Sequence, residues 1–197
     1  MSEIITVGLD LAKNVFQVHG TDGAGRAVLR KKIRRGQVLE FFSQLPSCVV
    51  AMEACATSHH WGRVAQHNGH EVRLVPAVYV KPFVKRQKND RADAEAIAEA
   101  ASRPSMRFVT VKSAETQARA VAFRTHQCLV RQRTQICNAI RAHMTEFGVI
   151  AAKGAQNVDR LRTQMHQLPE AARLPVSLLF EQLVDTDTRI ERLTREI

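Results

Sequence analysis

The spacing of apolar residues changes along this chain, and the changes divide it into elements. Residues 4–11 (IITVGLDL) alternate with the period of a strand: Ile5, Val7 and Leu9 take one face, Thr6, Gly8 and Asp10 the other. A charged residue closing such a strand is unusual and marks that end as a candidate site. Residues 14–19 (NVFQVH) and 26–33 (RAVLRKKI) read as strands around the glycine turn 21–25 (TDGAG), so the chain opens as an antiparallel meander. Residues 36–45 predict a short helix with Val38, Leu39 and Phe42 inward, ended by Pro46 and Ser47. The run 48–54 (CVVAMEA) is almost wholly apolar, as in a central strand covered on both faces. Glu53 is its exception, and it too falls at the C-terminal end. Thr57 or Ser58 can cap a helix through Trp61, Val64 and Ala65 that Gly69 closes. Residues 71–75 predict a fifth strand bounded by Pro76.

Beyond Pro76 the strand period is lost. Residues 77–89 read as irregular and basic, with Lys81, Lys85, Arg86 and Lys88 around Pro82. Residues 86–103 (RQKNDRADAEAIAEAASR) predict an Ala-rich helix stopped by Pro104. Residues 108–111 read as a short edge strand, and 113–147 as one long helix. That helix carries an apolar stripe of Ala118, Ala122, Leu129, Ile136, Ile140, Met144 and Phe147. Its other faces hold Arg119, Arg124, Arg131, Arg133 and Arg141. A loop at 149–156 and a short helix at 158–168 follow, and Pro169 and Pro175 frame a break. Residues 177–197 form a helix with Leu179, Leu183, Thr186, Ile190 and Leu193 in a coiled-coil-like seam. The expected division is an α/β domain over 1–148 and a helical segment over 149–197.

The helix at 86–103 has two readings on its own. Asp90, Asp93/Ala94, Ile97 and Ala101 share one face, which Ile97 and Ala101 mark as inward. Arg91, Glu95, Glu99 and Arg103 make a separate stripe of alternating charge, suited to solvent. Asp90 and Asp93 are then either ordinary acids of a helix start or paired carboxylates on an apolar side, which need compensation. The rest of the chain bears on that choice. In a mixed sheet with an antiparallel start, the first and fourth strands can be neighbours, with Asp10 and Glu53 side by side at one edge. A helix packed across that edge brings Asp90 and Asp93 to them. Four carboxylates so placed suit two Mg²⁺ ions, with Mn²⁺ as the alternative, in phosphoryl transfer. The basic loop beside them would hold the phosphate backbone that the acids repel.

Charge and composition narrow the partners. The 197 residues suit one domain, or one with a small appendage, and the formal net charge is +10. That favours an anionic partner, nucleic acid first, over a surface charged for solubility alone. Aromatic residues are only 5%, which argues against base-stacking single-strand readers. Cys48, Cys55, Cys128 and Cys137 form no CxxC and are expected as buried free thiols in a reducing compartment. With no leader or apolar run of spanning length, the expected location is the cytoplasm, away from membranes. His59, His60, His67 and His70 with Cys55 fit no standard zinc spacing. Ser105 and Ser113 have no paired base, so no nucleophile is assigned.

Three blocks of the chain, GLDLAKNVFQV, AMEACATSHHW and KNDRADAEAIAE, resemble the signature blocks of the insertion-sequence one-ten family of bacterial transposases, which includes relatives of the Piv invertase. The resemblance covers about the first 150 residues, and the last block, K-x-D-x-x-D-A, is its most specific part. It departs from the family where Glu-Ala-Thr-Gly is replaced by Glu53-Ala54-Cys55-Ala56, which alters the turn and leaves the carboxylate.

The resemblance implies a RuvC-like, ribonuclease H-like fold. It also implies a DEDD set at Asp10, Glu53, Asp90 and Asp93 as catalytic Mg²⁺ ligands, and DNA strand cleavage and transfer in transposition. It implies double-stranded DNA and a structured guide (bridge) RNA as partners, with homo-oligomers formed through the C-terminal helices. Lys81, Lys85, Arg86, Lys88 and the arginines of the long helix are the expected phosphate contacts. The family's second domain, with its serine nucleophile, lies beyond a coiled-coil segment, so the chain is expected to be C-terminally truncated. Two rivals stand beside this. One is a catalytically inactive nucleic-acid-binding or dimerising module. The other is an actin-like ATPase or sugar kinase domain, whose phosphate loop GLDLAK partly resembles; Leu11, Ala12 and Lys13 fit that loop poorly.

Overall fold

A computed structural model describes residues 3–84, 90–152 and 154–197, with the backbone alone for 90, 91 and 155. Two compact units result, Met1–Glu115 and Thr116–Ile197.

The first unit is built on five strands: β1 (Thr6–Asp10), β2 (Val15–Thr21), β3 (Ala27–Arg34), β4 (Val49–Glu53) and β5 (Glu71–Val75). They lie in the order β3-β2-β1-β4-β5. The meander β1-β2-β3 is antiparallel, while β4 and β5 run parallel to β1. The crossovers that make those strands parallel carry α1 (Val38–Gln44) and α2 (Ser58–His67). Alternation then sends Val7, Leu9, Phe16, Val18, Ile33, Val50, Met52 and Leu74 into one core with Val38, Phe42, Trp61 and Ala65. Ala51 and Val75 face the other side and join Val80, Ala96, Ile97, Ala100 and Ala101.

Several local expectations are corrected. Within α1 the buried residues are Val38, Phe41 and Phe42, so Phe41 takes the inward place expected of Leu39, which is 58% exposed. Neither Thr57 nor Ser58 caps α2 with its side chain. The Ser58 hydroxyl instead accepts from the Cys55 amide and donates to the Cys55 carbonyl. Residues 77–83, expected to be irregular, form α3 (Ala77–Val80) and a 3₁₀ turn at Lys81–Phe83. Near residues 108–111 the sheet gains one isolated bridge, Val109 to Leu74. Helix α4 (Asp90–Ala101) completes the layer. Of the four cysteines, Cys48 and Cys137 are buried, but Cys55 and Cys128 are exposed. Cys55 lies past the end of β4, and Cys128 falls on an open helical face.

The second unit contains nearly all of α5 (Ala114–Thr145), with α6 (Val158–Thr163) and α7 (Glu170–Glu196). Its core joins Ile136, Ile140 and Met144 of α5 to Val158 and Leu161 of α6 and Val176, Phe180 and Leu183 of α7. Only the C-terminal half of the expected α5 stripe is buried; Ala118 is exposed, and so is Phe147, which lies past the helix end. The expected break between Pro169 and Pro175 is helical. Pro169 is the extended residue before the first turn, where its ring suits the chain entry. Arg173 donates to the carbonyls of Leu168 and His166, satisfying groups ahead of the helix. Pro175 sits in the second turn and removes one backbone donor, a cost offset by burial of Val176 beside it and of Phe180 further along the helix. Among the described residues no helix is long and apolar enough to cross a membrane.

Candidate functional site

The placement of the acids follows from strand register. Strands β1 and β4 pair in parallel from Thr6 with Val49 to Leu9 with Met52. Asp10 and Glu53 are the next residues of each strand, so they end two neighbouring central strands at the same level. They close the ends of central strands rather than lie along a side edge of the sheet. Both are half-buried. They share a face as well. Leu9 and Met52 point into the core that holds α1 and α2, so the residues beside them in sequence point to the α4 side.

Helix α4 reaches that side because β1 carries a glycine. A Cβ added to Gly8 would lie 2.2 Å from the Ala94 carbonyl oxygen and 2.9 Å from the Ala98 Cβ. The helix backbone therefore rests directly on the strand, and the Ala residues of α4 are what let it approach. Its direction is fixed by the other end. Glu99 and Ser102 share with Thr6 and Asp22 a cleft of about 710 Å³ at the start of β1. Arg73 of β5 also donates to the Ala101 carbonyl at 2.9 Å. So α4 runs opposite to β1, and its N-terminal turn lies toward Asp10 and Glu53. Asp93 is half-buried in that turn, one turn before the fully buried Ile97. Asp90 is the first residue of α4, and its side chain lies outside the described residues.

Among the described residues no group of three or more His, Cys, Asp or Glu side chains is close enough, as it stands, to hold a metal ion. The donor chemistry nevertheless fits a hard divalent cation: Asp10, Glu53 and Asp93 offer carboxylate oxygens, and the α4 backbone puts Asp90 in the same turn. Sequence reading missed Gly8 as a functional position. Its signal was a glycine inside an otherwise apolar strand, which marks close approach of another backbone.

The expected phosphate contacts fall in different settings. Lys81 is exposed in the 3₁₀ turn, while Lys85, Arg86 and Lys88 lie outside the described residues. On α5, Arg119, Arg124 and Arg131 are exposed. Arg133 pairs with Asp187 of α7 at 2.6 Å, and Arg141 donates to the Gly154 carbonyl, so these two serve the packing of the second unit.

A sheet of three antiparallel strands followed by two parallel ones, with helices on both faces and acids at the ends of the central strands, is the ribonuclease H-like, RuvC-like class of α/β fold. Residues 7–149 match the DEDD transposase model of the IS110 family. Over 197 aligned residues, 97% of its length, the chain is 49% identical to "Probable family 20 transposase" of Pseudomonas aeruginosa. It is 38% identical to the transposase for insertion sequence element IS1328 of Yersinia enterocolitica and 35% identical to that for IS1111A of Coxiella burnetii, over its whole length in both cases. The chain belongs to the IS110 family of transposases. It spans 58, 60 and 56% of these three relatives.

Proposed function

We propose that this chain supplies the metal-holding and phosphate-gripping part of a transposase that cleaves and transfers DNA strands. The observation that carries the reading is the parallel register of β1 and β4, crossed by α4 at Gly8, which gathers Asp10, Glu53 and Asp93 at one pole. Asp10, Glu53, Asp90 and Asp93 would hold Mg²⁺, or Mn²⁺ in its place. When bound, such ions offset the negative charge that builds on a phosphodiester as it is cut. The chain's own part is to fix four oxygen donors on two strands and a helix, and to set cations around them. Lys81, Lys85, Arg86 and Lys88, which border α4 in sequence, and Arg119, Arg124 and Arg131 of α5 would hold phosphates of double-stranded DNA or of a structured guide RNA. The helical unit, with Leu174, Leu178 and Val184 exposed on α7, would serve self-association. The chain spans little more than half of its relatives, so strand transfer is assigned to the whole family protein, acting in the cytoplasm. Metal binding and phosphate contact are assigned to the residues of this chain.

Asp93→Asn tests the assignment. The variant keeps the size of the side chain and removes its charge. Mg²⁺ or Mn²⁺ affinity, measured by calorimetry on this chain, should fall by about tenfold or more, while DNA binding stays largely intact. In a longer family protein carrying this domain, Asp93→Asn should abolish Mg²⁺-dependent strand chemistry. Wild-type recombination by that variant would sink the metal assignment.

A further inference from the structure

The edge strand β3 carries a row of cations that the proposed metal site and the basic residues at 81–88 leave unexplained. Its sequence, AVLRKKIR, is hydrophobic at one end and almost wholly basic at the other. Register assigns each cation to a face. Lys31 pairs across the sheet with Val18, which pairs with Leu9, so Lys31 lies on the side of the α1 and α2 core. Lys32 pairs with Gln17, and Gln17 pairs with Asp10. A single cross-strand row therefore runs Lys32, Gln17, Asp10, with Glu53 beside Asp10 on the next strand. Arg30 sits one step below on the same face as Lys32, and its guanidinium reaches Glu95 of α4 at 3.9 Å, which confirms that face. Arg34 sits one step above. Lys32 and Arg34 are exposed, and among the described residues no ion pair engages either of them.

We infer that Lys32 and Arg34 hold the backbone of the DNA strand being cut, to one side of the carboxylates. The inference rests on the metal-site reading above. Two strand spacings of about 4.8 Å separate Lys32 from Asp10 along the row, roughly 10 Å in all. That distance is within reach of a neighbouring phosphate on the same strand, since phosphates lie farther apart along the backbone than the ~3.4 Å rise per nucleotide along the duplex axis. A strand with one phosphate at the acids thus brings a neighbouring phosphate to the ammonium of Lys32. Buried Gln17 lies between them and adds no charge. Positive charge on this edge also offsets the repulsion between phosphates and acids, and cations along an exposed edge keep it from pairing with another sheet. DNA is chosen over guide RNA because the row leads into the site where a strand is cut.

Lys31 supplies the control: same strand, same charge, adjacent in sequence, opposite face. Lys32→Ala and Lys31→Ala change the net charge equally, so an unspecific field would weaken binding equally. Affinity of this chain for a duplex DNA oligonucleotide is measured across a salt series with Mg²⁺ present, with an RNA hairpin of matched length in parallel. Lys32→Ala should weaken DNA binding roughly three- to fivefold, the scale of one exposed ion pair, with an unchanged melting temperature. Its slope of log affinity against log salt should fall by about 0.9, one duplex phosphate contact. Lys31→Ala should change neither value, and Lys32→Ala/Arg34→Ala should lose about twice the slope. Equal losses for Lys31→Ala and Lys32→Ala overturn the row alone, if Asp93→Asn still removes Mg²⁺ binding. A loss confined to the RNA hairpin overturns it in favour of guide RNA. A wild-type chain that binds neither Mg²⁺ nor DNA overturns the metal-site reading and the row with it.

Discussion

Gly8→Ala is a small substitution with a large expected effect, because the space that a methyl would occupy already holds helix backbone. The new Cβ would sit 2.2 Å from the Ala94 carbonyl oxygen, where ordinary contact begins at 3.4 Å. Relief needs a shift of about 1.2 Å, and none of the three contacts is a flexible side-chain end: the other two are the Ala98 amide at 2.8 Å and its Cβ at 2.9 Å. Extra methylenes in packed cores cost about 1–3 kcal/mol, and this site belongs at the upper end, near 3 kcal/mol. In urea, with a slope of about 1.5–3 kcal/mol/M, the midpoint should fall by about 1–2 M. The chain's single tryptophan, Trp61, is buried in the first unit, so its fluorescence reports that unit while far-UV dichroism is weighted to the long helices of the second. The fluorescence transition should move and the second unit's should not. Gly36→Ala is the reference: nothing lies within 4 Å of its added Cβ, and a change of about 0.4–1 kcal/mol in the stabilising direction is expected. Displacing α4 also displaces Asp93, so Mg²⁺ affinity should drop in Gly8→Ala at urea-free conditions where the unit stays folded. A Gly8→Ala midpoint within about 0.3 M of wild type would refute direct helix-on-strand contact.

Thiol reactivity should separate the cysteines in two pairs. Cys55 and Cys128 should label quickly in the folded chain, and Cys48 and Cys137 slowly, because burial pushes both thiols up, that of Cys48 to about 11. A raised thiol favours the folded state below its unfolded value, and that stability is lost as pH rises from about 9 toward about 11, so the wild-type chain should lose stability there and Cys48→Ala should lose less; pH-dependent urea midpoints would show it. Asp22 is held below the usual carboxylate range first by the Arg26 amide, against burial that raises it, and then by the Arg26 side chain and the Ala24 amide. Its contribution is present above the ordinary carboxylate value of 3.8 and is lost as pH falls through the lowered value, so Asp22→Asn should flatten the acid limb of stability measured by Trp61 fluorescence. Pro175→Ala restores a backbone donor in the second turn of α7 and should stabilise the helical unit by about 1–2 kcal/mol, read from its dichroism transition.

Much of the fold was legible because strand and helix periods are local. The fifth strand has its expected limits at Glu71–Val75, and the alternation of Val7 and Leu9 against Gly8 and Asp10 predicts which face of β1 is apolar. The errors arose where packing overrode local signals. Pro175 suggested a break, but buried neighbours on α7 keep the helix intact. Leu39 is expected inward with Val38 and Phe42, but packing gives that place to Phe41. The stripe on α5 looked continuous, yet among the described residues only its C-terminal half joins a buried cluster.

For the candidate site, the sequence alone determined the residue types and their places in the elements: acids ending two strands and opening one helix, with cations before that helix. Sequence also carried the family resemblance, since motif spacing is a property of the chain. The tertiary structure decided what those acids share. Parallel pairing set Asp10 level with Glu53, and the clash-free surface at Gly8 let α4 lie flat and bring Asp93 to the same pole. It also set Lys32 apart from Lys31, two neighbours that the sequence makes equivalent. The physical reason is that strand period fixes only alternation, while which face meets the helix depends on register between strands far apart in the chain.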